Sequence, residues 1–330
     1  MKLSQVRWGI IGCGAVTEVK SGPPLQLVRH SSLVAVMRRT PGLARDYAIR
    51  HNIPKWYEDA DDLINDQEVN AVYVATPPGS HLQYAVKAMQ AGKPVYVEKP
   101  MARNYTECLE MLRVSKKTGM PVFVAYYRRA LPGFRKVREL VDSGAVGEVR
   151  MVNVRFYRPI NGDLEGISIP WRLQPEISGG GLVFDLAAHT LDYLDFVFGP
   201  IHKVKANAMN QARRYSAEDI VLANWQHESG VAGTGSWCFT TSSKNNLDEI
   251  EIIGNKGRIL FSTFEFVPVI LENEKGKQVF PFEKPPHVQL YLMEKIVAAL
   301  RGEGESPSTG ETAARTSRVL DEMVREYYNK

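Results

Sequence analysis

The hydrophobic positions of this chain fall into two regimes. Up to residue 126, short apolar runs alternate with longer amphipathic segments. The runs are VRWGIIG (6–12), SLVAVM (32–37), AVYVAT (71–76), PVYVEK (94–99) and PVFVAY (121–126). They are nearly continuous and rich in β-branched residues, so they predict strands buried on both faces. Residues 80–90 and 104–117 predict helices, with Gly92 and Gly119 as their stops. Such alternation predicts right-handed βαβ units and a parallel sheet.

Beyond Tyr126 the strand candidates lengthen and alternate: 147–157, 203–211, 219–228 and 231–239. Turn signals such as ESG (228–230), GNKG (254–257) and ENEKGK (272–277) join neighbours. This pattern predicts a mostly antiparallel sheet with one face on a core. Helices are expected over 181–198, near 287–301 and over about 310–328, the last with Ser308 and Glu311 spaced as a capping box. The reading is therefore an α/β domain over 1–125 and an α+β domain over 126–330.

Composition narrows the function classes. A length of 330 residues suits two domains. Against 41 basic stand 37 acidic residues, a net +4, and no basic stripe argues for nucleic acid. Three cysteines, Cys13, Cys108 and Cys238, form neither a disulfide framework nor a zinc motif. No signal-peptide core and no run of ~18 apolar residues is present, so a cytoplasmic protein without membrane contact is expected.

The first strand leads into Gly12-Cys13-Gly14-Ala15-Val16. Two glycines there let the backbone turn tightly and approach a pyrophosphate, and the following helix start adds oriented N–H groups. Thr17 stands where a third glycine would allow close helix–strand packing, so the helix is expected to sit off the usual position. Gly22-Pro23-Pro24 should end that helix early. A plain tight turn is the competing reading. After the second strand come Arg38, Arg39 and Thr40, where an NAD-preferring site places a carboxylate. A guanidinium matches a phosphate, so NADP is the expected cofactor and NAD the alternative. A solvated arginine pair is the bland reading.

Residues 76–100, TPPGSHLQYAVKAMQAGKPVYVEKP, join GIIGCG (9–14), the segment 126–149, WR (171–172) and GGGLVFDLAAHTLDYLDFVFG (179–199) in one order. In this order the chain resembles the glucose–fructose oxidoreductase, inositol dehydrogenase and MocA family, Gfo/Idh/MocA. The resemblance implies a Rossmann domain followed by an α+β domain with a large open sheet. It also implies hydride transfer between nicotinamide and a sugar, polyol or related hydroxyl or carbonyl compound. It places Thr76, Pro77 and His81 along the cofactor, Glu98 and Lys99 near the nicotinamide, and Trp171 and Arg172 at the cofactor and substrate. Without it, Trp171 reads equally as a buried aromatic.

Lys99 follows the fifth strand, and ligands bind beyond the carboxyl ends of such strands. Its bland reading is a surface lysine, and Pro100 counts modestly against that reading, since it biases Lys99 toward extended geometry. Gly179-Gly180-Gly181 lets the backbone pass close to a ligand before a helix on which Asp185, His189 and Asp192 share one face. A structural Asp–His hydrogen bond and a metal site are the alternatives, although no further ligand cluster stands out. Imidazole titrates near neutral pH, so His189 is the candidate base, with Asp185 modulating it or holding substrate. Lys99 would stabilise charge on the reacting oxygen. The resemblance assigns the catalytic roles to the same three positions. Tyr126, Arg128 and Tyr291 are weaker substrate-side candidates.

Two other functions compete: a glycoside hydrolase assisted by bound NAD, and a non-catalytic dinucleotide or sugar sensor. Alternating apolar residues in the second sheet, and pairing through it in relatives, predict a homo-oligomer, dimer or tetramer. Substrate choice is assigned to loops over 160–176 and to the sheet.

Overall fold

Five of the six strands in the first sheet are the apolar runs of the sequence. They are β1 (Val6–Ile11), β2 (Ser31–Met37), β4 (Ala71–Val74), β5 (Val95–Val97) and β6 (Val122–Val124). The sixth, β3 (Lys55–Tyr57), is a three-residue edge strand with no fully buried position and no periodicity to betray it. The structure, a computed structural model, describes residues 2–159 and 169–329. The chain divides into two compact units, Met1–Ala130 with Pro285–Ala314, and Leu131–Lys284 with Arg315–Lys330. A single crossing near residue 125 does not anticipate the return of 285–314 to the first unit.

In the first unit all strand pairs are parallel, in the order β3-β2-β1-β4-β5-β6. This is the Rossmann order, and its switch point lies between β1 and β4. The helices His81–Gln90 and Tyr105–Thr118 match their predicted spans to within a residue. The returning helix Leu290–Arg301 buries Leu292, Met293, Ile296, Val297 and Leu300 in a cluster with Trp8, Ile10, Tyr73 and Tyr96. Each such side chain contributes roughly 1.5–3 kcal/mol on burial, enough to fix this distant segment on the sheet.

The second unit holds eight further strands. In chain order these are β7 (Val149–Pro159), β8 (Ile201–Met209), β9 (Ile220–His227), β10 (Ala232–Thr241), β11 (Leu247–Gly254), β12 (Gly257–Phe261), β13 (Val269–Asn273) and β14 (Gly276–Phe280). Their order is β14-β13-β12-β11-β7-β10-β9-β8, antiparallel except for the β7–β10 pair. Alternation buries Val152, Val154, Phe156, Ile250, Ile252, Trp237 and Phe239 on one face. The other face carries Arg155, Asn153, Ser236 and Leu222, the last 46% exposed.

The final helix, Gly310–Tyr328, starts with a different cap from the predicted one. Thr309 and Thr312 exchange backbone N–H and hydroxyl bonds, while Ser308 is fully buried and donates to the Val124 carbonyl at 2.8 Å. Among the described residues no helix is long and apolar enough to cross a membrane.

Candidate active site

The glycine turn is built by two bonds to one acceptor. The Gly12 and Cys13 N–H groups both donate to the Met37 carbonyl, at 2.9 and 3.2 Å, which folds the turn over the end of β2. Gly12 has φ 93°, and a Cβ there would lie 2.7 Å from Thr76 Cγ2. Glycine is required because the turns after β1 and β4 touch at the switch point. Gly14 differs, since a Cβ on it would meet nothing nearer than the Gly12 oxygen at 3.9 Å. The space outside Gly14 is open, and Ala15 and Val16 begin the helix beside it. This open cradle fits a phosphate.

Thr17 tightens the turn. It is fully buried, its hydroxyl donates to the Gly14 carbonyl at 2.9 Å, and it accepts the Gly14 N–H at 3.1 Å. The helix answers by widening to a π-turn over Thr17–Ser21, and Gly22 ends it as predicted by donating to the Thr17 carbonyl. Burial pushes the Cys13 thiol up to about 11, so it packs as a small apolar group. Arg38, Arg39 and Thr40 are exposed after β2, and Arg38 Nη1 lies 3.4 Å from the Cys13 carbonyl oxygen at the rim of the turn.

Thr76 and Pro77 are half-buried after β4. His81 is fully buried, with Nε2 2.7 Å from the Thr76 carbonyl and Nδ1 3.1 and 3.3 Å from those of Pro100 and Met101. Its ring joins the turn after β4 to the segment after Lys99. Burial lowers its pKa against those carbonyls.

Glu98 is also buried and meets protein donors. Its Oε1 accepts from Tyr73 Oη at 2.6 Å and Gln289 Nε2 at 2.7 Å, and its Oε2 accepts the Lys99 N–H at 3.2 Å. Burial raises the Tyr73 and Tyr96 phenols well above their usual range, and the nearby Glu98 charge adds to it. Lys99 itself is half-buried and precedes Pro100 through a cis peptide. Tyr126 is fully buried and offers a substrate no exposed surface. Arg128 is buried with its guanidinium 4.9 Å from the Tyr127 ring, and Tyr291 packs against the core of the first unit.

In the second unit, the triple glycine serves protein packing. A Cβ on Gly180 would enter the Phe184 ring at 2.2 Å, and one on Gly181 would meet the Glu218 carbonyl at 2.7 Å. The Gly181 N–H donates to Glu218 Oε1 at 2.8 Å. The next turn, Val183–Ala187, is a π-turn, and α-helix follows over Ala188–Phe198. The extra residue in that turn changes the phase assumed for Asp185, His189 and Asp192 on one α-helical face. Asp185 accepts from Arg172 Nε at 3.1 Å, while Asp192 takes a 3.4 Å bond from the Thr316 hydroxyl. His189, 3% exposed, meets the Phe264 ring edge-to-face at 5.7 Å. The Arg172 guanidinium also lies 4.3 Å from the Trp171 ring. Residues 160–168 of the proposed specificity loop lie outside the described residues.

Several residues of this arrangement escape sequence reasoning. Asp248 accepts the N–H groups of Thr263, Phe264 and Glu265 and so fixes the turn that presents Phe264 to His189. Tyr73, Gln289 and Glu218 are equally unmarked. The only signal is a hydroxyl inside the apolar run AVYV (71–74) and a glutamine directly before an apolar helix. Among the described residues no group of three or more His, Cys, Asp and Glu side chains is placed to hold a metal ion.

Residues 6–126 match the family described as oxidoreductase family, NAD-binding Rossmann fold, and residues 134–260 match the GFO/IDH/MocA C-terminal domain. "Oxidoreductase P35" of Formosa agariphila is 38% identical over 321 residues, covering 96% of this chain and 98% of that protein. The trans-1,2-dihydrobenzene-1,2-diol dehydrogenase of Mus musculus is 30% identical over 257 residues, covering 76% and 73%. A levoglucosan dehydrogenase structure, in complex with NADH and levoglucosan, superposes with a TM-score of 0.87 at 20% identity over 98% of each chain, which shows a shared fold.

Proposed function

Because this chain belongs to the Gfo/Idh/MocA family of oxidoreductases, we propose that it catalyses hydride transfer between NADP, in preference to NAD, and a sugar- or polyol-like hydroxyl or carbonyl compound. The observation that carries this reading is the placement of the open Gly14 cradle, Arg38 and Glu98–Lys99 at the carboxyl ends of strands in one parallel sheet. The relatives named for a dihydrodiol and for levoglucosan support the substrate class.

Gly12, Gly14, Ala15 and Val16 would hold the pyrophosphate, and Arg38, Arg39 and Thr40 a ribose phosphate. Thr76 and Pro77 would line the dinucleotide beyond β4, and Trp171 would flank it. Once bound, the nicotinamide supplies or accepts the hydride. The chain handles the proton and the charge. In the oxidising direction His189 takes the hydroxyl proton, and in the reducing direction it returns that proton to the oxygen. Lys99 donates a hydrogen bond to the same oxygen and stabilises its developing negative charge. Asp185 holds a substrate hydroxyl and is itself held by Arg172.

A panel of levoglucosan, trans-1,2-dihydrobenzene-1,2-diol, inositols and aldoses, offered with NADP and with NAD, tests the reading through nicotinamide absorbance. NADP-dependent turnover of at least one compound supports it. Glycoside cleavage without net absorbance change would move the assignment to a redox-assisted hydrolase. Tight dinucleotide binding with no turnover would move it to a sensor.

The open face of the second sheet is proposed as a contact between copies of the chain, since exposed Leu222 sits there beside Tyr157, Ile220 and Cys238. Leu222→Arg should reduce the oligomer mass measured by sedimentation, and an unchanged mass would refute this contact.

A further inference from the structure

We propose that Gln289 is a positioning residue for Lys99, acting through the buried carboxylate of Glu98. The inference rests on the reading that Lys99 serves the reacting oxygen. It adds a residue from the returning segment, 191 positions from Glu98 in the chain.

A buried carboxylate is costly unless hydrogen bonds satisfy it. Glu98 is 7% exposed, and its bonds divide between two tasks. Oε1 is held from one side by Tyr73 and from the other by Gln289, and Oε2 is thereby left aimed at the backbone N–H of Lys99. The Gln289 amide has one orientation open to it. With Nε2 toward Glu98, its Oε1 accepts the Tyr96 hydroxyl at 2.6 Å. Turned over, it would set a carbonyl oxygen against a carboxylate oxygen, two acceptors with no proton between them. Gln289 is 1% exposed, and its own carbonyl accepts the Met293 N–H at 2.9 Å, which seats it at the start of the helix Leu290–Arg301. The fixed helix fixes the amide, the amide fixes the carboxylate, and the carboxylate fixes the first backbone bond of Lys99.

The titratable groups facing Glu98 are Tyr73 from β4, Tyr96 from its own strand, His81 from the helix His81–Gln90, and the adjoining Lys99. Burial keeps both phenols protonated, so Tyr73 remains a donor and Tyr96 continues to hold Gln289. Removing the Gln289 donor frees one side of Oε1, so Oε2 should lose its fixed aim at the Lys99 N–H.

The test compares full-length wild type, Gln289→Met and Tyr96→Phe. Methionine keeps the bulk of glutamine and removes both polar ends. Tyr96→Phe removes only the group that orients the amide. Glu98 is followed by carboxyl resonance in protein with isotope-labelled glutamate, assigned with Glu98→Gln, and Lys99 by its backbone amide resonance. NADPH affinity is measured by fluorescence, and kcat and KM on a compound that the panel shows to be turned over. For Gln289→Met the Glu98 carboxyl resonance and the Lys99 amide resonance should both shift, and kcat should fall on the order of 10–100-fold. NADPH affinity and KM should stay within about threefold, as expected when only transition-state alignment is lost. Tyr96→Phe should move every readout in the same direction by less. Unmoved Glu98 carboxyl and Lys99 amide resonances in either folded variant overturn the proposal, as does a wild-type kcat in Gln289→Met. The resonances need no substrate. A wild type that turns over nothing therefore defeats the functional reading while the positioning claim is still decided by them.

Discussion

Arg38 reaches back from the end of β2 and sets its Nη1 3.4 Å from the carbonyl oxygen of Cys13, inside the glycine turn that follows β1. Arg38 is exposed, and the space outside Gly14, the residue after Cys13, is open. A cation at this rim, with no acidic residue among Arg38, Arg39 and Thr40, is the basis for proposing an NADP preference.

Wild type should bind NADPH more tightly than NADH, and Arg38→Ala should erase most of the difference. Charge-assisted hydrogen bonds contribute about 1.5–3 kcal/mol, or roughly 10–100-fold in Kd. Fluorescence titration with both dinucleotides measures this. Tighter NADH binding in wild type would reverse the assignment.

The two glycines of the turn should respond differently to alanine. Gly12→Ala forces a side chain into the left-handed region and onto Thr76, at a cost of about 1–3 kcal/mol. Gly14→Ala should leave stability within about 0.5 kcal/mol, because its Cβ enters open space, yet weaken dinucleotide binding. Denaturant unfolding and NADPH titration separate the two effects. Equal stability loss at both positions would contradict the described turn.

Glu18 links stability to pH. A two-pronged contact with Arg50, 2.8 Å on each arm, chiefly lowers its pKa from 4.5 to about 2, and His51 at 2.7 Å adds to it. The folded value lies below the unfolded one. Its contribution is therefore fully present above 4.5 and is lost as pH falls toward 2. Arg50→Gln should destabilise the protein at about pH 7 and differ less from wild type at about pH 3. The pair is partly exposed, so the effect should be small. Urea unfolding at both values checks it, and a gap that widens on acidification would run against the linkage.

Local chemistry made much of this legible in advance. Continuous apolar runs marked five of the strands in the first sheet, and two glycines marked the tight turn after β1. What stayed hidden is of two physical kinds. The first is small shifts in backbone hydrogen bonding. The π-turn at Val183–Ala187 moves the phase of Asp185 against His189, and the cap at Thr309–Thr312 displaces the expected one by a residue, because Ser308 is drawn inward to Val124. The second is pairing across long stretches of chain. Nothing local marks Gln289 as the partner of Glu98, or the Thr76, Pro100 and Met101 carbonyls as the partners of the His81 ring.

The central claim is that His189 moves the substrate proton in an NADP-dependent reaction. Steady-state kinetics of His189→Ala across pH, beside its NADPH affinity, test this most directly. The account predicts kcat lower by roughly 10²–10⁴-fold, loss of the near-neutral limb of the pH profile, and NADPH affinity within about twofold of wild type. A variant with wild-type kcat and an unchanged pH profile would contradict it.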